Sequence, residues 1–164
     1  MNRTPDLIDA AREQWSGIHP DVDTASIEVI GRVLRAAAVL RRKLDSTIAE
    51  DGLNRAEFDL LCALRRSGGP VTPGRLNELT VSSGAATTKR LQQLADRGLV
   101  QRSTDARDRR SARVQLTEHG QEVIDGIFPR AIAAERSLLT GLTTRQQKAL
   151  AGNLAELLHA VEGP

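Results

Sequence analysis

A chain of 164 residues with 40% hydrophobic and 27% charged residues has material for one compact core plus appended helices, and it holds no apolar run of about 18 residues that would span a membrane. A single cysteine, Cys62, excludes an internal disulfide framework, and His19, His119 and His159 stand too far apart in sequence to form a metal-ligand motif. The net charge of +2 is unevenly spread: from Ser82 to Arg113 eight cations face three anions, which leaves the remainder of the chain at −3.

A short basic segment on a mildly acidic body is the pattern of a phosphate-binding surface. The aromatic residues are few, Trp15, Phe58 and Phe128. Single-stranded nucleic acids are usually held by stacking on several rings, so duplex DNA is the favoured partner. The segment Met1 to Ala10 carries Asp6 and Asp9 and has no apolar run. It does not read as a secretory signal, and a cytoplasmic protein is expected.

In chain order, Thr4 and Pro5 predict an N-cap and a first helical proline. The helix that follows places Leu7, Ala11 and Trp15 on one side. Gly17 to Asp23, with Pro20, reads as a loop. A long helix is predicted from about Thr24 to Ala49, roughly 36 Å in length. Its stripe of Ile27, Ile30, Leu34, Ala37, Leu44 and Ile48 is heptad-like and exceeds what a small core needs, which points to a partner chain.

Asn54 and Glu57 form a capping box for the next helix, which carries Phe58, Leu60, Leu61 and Leu64 and stops at Ser67-Gly68-Gly69-Pro70. Thr72-Pro73 opens a short helix with Leu76 and Leu79. Val81-Ser82-Ser83 makes a tight turn. Ser82 caps a second helix that runs to Arg97 and ends at Gly98. The period then changes to two. Leu99 to Thr104 and Ala112 to Leu116 predict a hairpin whose tip is Asp105 to Ser111. Thr117 caps a further helix, and Pro129 is expected to kink or break it near Phe128. Thr144 and Gln147 predict a capping box for a last helix with Leu150, Leu154, Leu157, Leu158 and Val161. The result is a mainly α fold, α+β through one hairpin, with a winged helix-turn-helix over 54–117.

The second helix of the motif carries the chemistry. Leu91, Leu94 and Ala95 are predicted to pack inward. Ser83, Thr87 and Arg90 fall on another face, with Thr88 and Lys89 beside them. Small hydroxyls followed by cations suit a helix entering a major groove, where Thr and Arg reach base edges. A solvated helix face has the same composition. At the hairpin tip, Arg107, Arg109 and Arg110 are expected at DNA, Arg110 partly structural, with Asp105 and Asp108 orienting them. Charged hairpin tips that are merely soluble are also common.

The runs Gly98-Leu99-Val100, Asp105-Ala106-Arg107-Asp108-Arg109-Arg110 and Val114-Gln115-Leu116-Thr117-Glu118-His119-Gly120 resemble the wing of the MarR family of regulators. Leu79 to Thr87 resembles the entry to that family's recognition helix. The resemblance covers about residues 25 to 160. It implies a homodimer joined by helices 24–50 and 118–162, with recognition helices on a near-palindrome; the extra N-terminal helix predicted within 1–20 lies before the part that the resemblance covers. It implies repression relieved by a small phenolic or anionic effector. A narrower likeness is to the urate-responsive branch, which has an extra N-terminal helix with a tryptophan. Trp15, Asp59, Arg90 and Arg102 match that branch's effector residues. An indole face and two guanidiniums suit a planar anion, and Asp59 would be repelled by it. The same residues have plainer uses: Trp15 as a staple, Arg90 on phosphate, Asp59 and Arg102 as an ion pair.

No arrangement of nucleophile and base suggests an enzyme, and no glycine-rich phosphate loop follows a strand. No cofactor or metal is expected. Cys62 lies between Leu61 and Ala63 and reads as a buried structural thiol rather than a redox sensor. The alternatives are a regulator with a different effector or none, and a winged helix that only docks proteins. The latter has no need of wing-tip arginines.

Overall fold

The structure, a computed structural model, describes residues 4–80, 84–104 and 112–163. The elements are α1 (Leu7–Ile18), α2 (Ser26–Ala49), α3 (Arg55–Ser67), α4 (Pro73–Thr80), α5 (Gly84–Asp96), β1 (Val100–Thr104), β2 (Ala112–Leu116), α6 (Glu118–Leu138) and α7 (Thr144–Glu162). This is the expected order of helices, helix-turn-helix, hairpin and two helices. The chain divides into two compact units, Met1–Lys43 and Leu44–Pro164, with the boundary inside α2.

In the first unit α1 is capped by Asp6, not by Thr4. The Asp6 carboxylate accepts the N–H groups of Ile8 (2.8 Å) and Asp9 (3.2 Å), and Asp9 accepts the Asp6 N–H at 2.7 Å. This reciprocal box outweighs the proline signal beside it. The same two carboxylates receive Arg32 of α2, at 2.9 Å from Asp6 and 2.6 Å from Asp9. The Arg32 hydrogen bond holds Asp6 below the usual carboxylate range. Arg12 pairs with Glu28 as a second link. Gly31 lets the helices approach: a Cβ there would stand 3.1 Å from Ile8. Trp15 stacks on His19 with ring centroids 5.7 Å apart.

In the second unit the core is built on α3. Asn54 caps it, accepting the Glu57 N–H at 3.0 Å, while Glu57 accepts the Asn54 N–H at 3.0 Å. Gly68 ends it in the left-handed region at φ +65°. Leu60, Leu61 and Leu64 are buried and pack in one cluster with Leu76 of α4, Leu91 and Leu94 of α5 and Ile124 and Ile127 of α6. Each such side chain contributes about 1.5–3 kcal/mol through burial. The hairpin pairs Val100 with Leu116 and Arg102 with Val114. Val71 adds a bridge that the sequence reading passed over, exchanging two 2.8 Å backbone bonds with Val114. Thr72 precedes Pro73, which favours extended backbone there.

The hairpin is tied to α6 at Thr117. Its hydroxyl donates to Gly98 O at 2.6 Å and accepts the Gly120 N–H at 2.9 Å, and its own N–H donates to Leu99 O at 3.1 Å. α6 then continues through Pro129 to Leu138, so of the predicted kink or break near Phe128 the break does not occur. Losing one N–H donor in a long helix is outweighed by the burial of Ile124, Ile127 and Ala131 on its core face. Arg65 of α3 clamps α6 with two 2.8 Å bonds to Asp125, which holds that carboxyl below its ordinary range. α7 is capped by Thr143 and Gln146, one residue before the predicted Thr144 and Gln147. Gln147 instead donates to Leu139 O at 3.1 Å and Leu142 O at 3.0 Å. Among the described residues no helix is long and apolar enough to cross a membrane.

Candidate nucleic-acid interface

The second helix of the helix-turn-helix is α5, and its two faces are set by its period. Thr87, Leu91 and Leu94 fall at i, i+4 and i+7 and are each 0% exposed. Thr87 is therefore a core residue and does not reach base edges. The sequence reading placed it outward because of its hydroxyl; its spacing to Leu91 places it inward. Its Oγ1 is buried without a hydrogen-bond partner. Thr88 and Lys89 are exposed and Arg90 is half-buried. Gln92 and Gln93 are exposed as well, at helical spacing from Lys89, and were not among the predicted contacts. That i, i+3, i+4 spacing was the available signal. Glutamine suits adenine by bidentate pairing.

Both ends of α5 are fixed to the body. Gly98, at φ +70°, ends the helix with a Schellman pattern, its N–H on Ala95 O at 2.9 Å and the Leu99 N–H on Leu94 O at 2.9 Å. Nearer the N-terminus, Arg102 of β1 donates to Thr88 O at 3.3 Å. Arg102 thus joins the wing to the recognition helix. The predicted contacts Ser83, Arg107, Arg109 and Arg110, and the cap Ser82, lie outside the described residues.

The predicted effector residues lie on different elements: Trp15 on α1, Asp59 on α3, Arg90 on α5 and Arg102 on β1. Trp15 is half-exposed in the first unit, beside His19. Asp59, on α3, faces Arg55 at 3.9 Å and lines a cavity of about 310 Å³ with Phe58, Cys62, Arg66 and Phe128. The Arg55 guanidinium lies 5.3 Å from the centre of the Phe58 ring. Glu135 lines the cavity too, so two aromatic rings, two guanidiniums and two carboxylates surround the space, a lining that suits a small planar molecule with polar edges.

Cys62 opens toward this cavity but is only 7% exposed, and burial pushes its thiol up to about 11. It is a protonated thiol at neutral pH. Iodoacetamide at about pH 8 is expected to label the folded chain far more slowly than the unfolded chain. Mass spectrometry reads the difference, and equal rates would contradict a buried thiol.

Comparison with known proteins agrees with this architecture. The MarR family model matches residues 51–111. The transcriptional regulator PecS of Dickeya dadantii is 30% identical over 152 residues, covering 92% of this chain and 89% of its own. The transcriptional repressor NicR of Pseudomonas putida is 30% identical over 136 residues, covering 82% of this chain and 85% of its own. Among solved structures, Bordetella bronchiseptica BpsR, whose DNA binding is regulated by 6-hydroxynicotinic acid, superposes with a TM-score of 0.72 at 27% identity, over 79% of this chain and 91% of its own. With the capped helix-turn-helix, the hairpin wing and a relative of this identity over nearly its whole length, the chain belongs to the MarR family of transcriptional regulators.

Proposed function

We propose that this regulator binds duplex DNA as a homodimer and represses transcription until a small planar anion releases it. The observation that carries the reading is the division of α5: its inner face is fully buried, and its outer face presents Thr88, Lys89 and Arg90. Such a helix enters a major groove with its cations on base edges and phosphates. Ser83, Arg107, Arg109 and Arg110, outside the described residues, belong to the same basic segment of the sequence. A module that only docks proteins has no use for this concentration of arginine.

Dimerisation is supported by apolar surface that the single chain does not cover. Leu34 of α2 is 65% exposed, and Leu158 and Val161 of α7 are 54% and 68% exposed. An isologous interface buries such stripes on both copies at once. Paired recognition helices then read half-sites about one helical turn apart.

Two separate observations support an effector: the cavity at Asp59, which Arg90 and Arg102 do not line, and the Arg102 contact on the Thr88 carbonyl. An anion that draws Arg102 or Arg90 toward itself competes with the Thr88 carbonyl and with phosphate. The recognition helix then loses its tie to the wing. Urate fits the likeness to the urate-responsive branch. 6-Hydroxynicotinate, which acts on BpsR, is the second anion of the same class.

A mobility shift on the duplex upstream of the chain's own coding sequence, with each anion added, tests both parts. A specific complex dissolved by either anion supports the whole reading. A specific complex untouched by both leaves the regulator and removes the effector. No complex at low salt removes the regulator.

A further inference from the structure

The corner between α2 and α3 is rigidly built. Gly52, at φ +68°, closes α2 with its N–H on Ala49 O at 2.9 Å, and the Leu53 N–H reaches Ile48 O at 3.3 Å. Leu53 and Ile48 are both buried. Two arginines from distant parts of the sequence meet this corner. From α6, Arg130 Nη2 donates to both carboxylate oxygens of Asp51, each at 2.8 Å. From the C-terminal end of α5, Arg97 Nη1 stands 3.6 Å from Glu57 Oε2. That same oxygen accepts the Asn54 N–H at 3.0 Å. The other terminal nitrogen of Arg97 lies 3.8 Å from where a Cβ on Gly52 would be.

Glu57 is 6% exposed, so its carboxylate is poorly screened from the half-exposed Arg97 guanidinium that faces it. Arg97 follows directly on the recognition helix. Arg130 follows directly on Pro129 in α6. The corner, with the first turn of α3, therefore meets both the residue that follows the DNA-reading helix and the middle of α6 through charged side chains; farther along α3, Arg65 makes a second link to α6 at Asp125.

We propose that residues 51–54, with Glu57, form a positioning joint: α6 holds the corner through Arg130 and Asp51, and the corner sets the recognition helix through Glu57 and Arg97. Arg97 and Arg130 are positioning residues that touch no DNA. The joint rests on the DNA-binding reading given above and adds a route by which a change at α6 reaches α5. Two sites that do not touch one another couple energetically when a shared rigid element lies between them.

A double-mutant cycle tests this. Glu57→Gln keeps an amide oxygen for the Asn54 N–H, so the α3 cap survives while the charge facing Arg97 is lost. Arg130→Gln releases Asp51. Each variant, and the pair together, is titrated against a duplex that the wild-type chain selects from a random pool and against a scrambled duplex. Each single change is expected to lower the ratio of specific to scrambled affinity about three- to ten-fold, and the double variant to lose no more than the weaker single. Arg130→Lys, which keeps a charge at Asp51, is expected to restore most of the ratio. Losses that multiply to within about two-fold, or single variants with the wild-type ratio, overturn the joint. A thermal midpoint that falls while the ratio stays fixed assigns these pairs to stability alone and overturns it too. If the wild-type chain selects no duplex, the DNA reading itself fails, which is a different result from an additive cycle.

Discussion

Replacing Gly120 by alanine is expected to disrupt the second unit more than any other single methyl added to the chain. Gly120 is the third residue of α6 and donates its N–H to the Thr117 cap. A Cβ at this position would overlap the Leu99 carbonyl oxygen and stand 2.9 Å from the Leu99 carbonyl carbon. Neither atom is the end of a flexible side chain. Leu99 is buried, 3% exposed, and its carbonyl already accepts the Thr117 N–H at 3.1 Å. Relief requires α6 to move away from the base of the wing, which breaks the cap and opens the core around Leu99 and Ile124. A loss of about 3 kcal/mol or more is expected. For a chain of this size that lowers the thermal midpoint by about 6 °C or more. Gly126→Ala is the matched control. It lies in the same helix, and its Cβ would meet nothing within 4 Å. It is expected to be neutral or to stabilise by up to about 1 kcal/mol, because alanine is the better helix former. Thermal unfolding of the two variants side by side checks the account, and equal effects would contradict it.

The largest effect on DNA is expected from Lys89→Ala with Arg90→Ala. Both stand on α5 away from the stripe of Thr87, Leu91 and Leu94, so their removal leaves the core intact. A base contact by arginine discriminates by about 1–3 kcal/mol, and each lost phosphate contact lowers the salt slope by about one. The double variant should bind the operator at least ten-fold more weakly at an unchanged thermal midpoint. Thr87→Val separates the two faces. It keeps the shape of a fully buried side chain and removes a hydroxyl that has no partner. Its DNA affinity is expected to equal that of wild type, with stability unchanged or improved. A loss of affinity in Thr87→Val without a loss of stability would return Thr87 to the reading face.

The parts of the fold that could be read from the sequence are those decided by a few adjacent residues. Asn54 with Glu57, Thr117 as a cap and Gly98 as a stop were legible because each motif satisfies its own backbone groups. Misreadings arose where two local signals compete. Thr143-Thr144 and Gln146-Gln147 offer two capping boxes one residue apart, and the second glutamine is taken by the carbonyls of Leu139 and Leu142. Pro5 suggests a helix start that the Asp6 and Asp9 box moves two residues on. The hydroxyl of Thr87 points to an outward place, while its period with Leu91 and Leu94 sets it in the core. The close approach at Gly120, the bridge at Val71 and the pairing of Glu57 with Arg97 were illegible for a different reason. Each depends on a residue brought near by the tertiary fold: Leu99, Val114 and Arg97. Ion pairs such as Arg65 with Asp125, sixty positions apart, leave no trace in local patterning. The face of α5 was legible as a basic segment, and its glutamines were passed over because they carry no charge.

The central claim is that α5 and the wing read duplex DNA. The most direct test measures binding of the chain to its upstream duplex and to a scrambled duplex of equal length while salt is raised. The account predicts tighter binding to the upstream duplex at every salt concentration. It also predicts a steep linear fall of log affinity with log salt for both, as phosphate contacts release counterions. Equal affinity for the two duplexes, or binding that ignores salt, would contradict it.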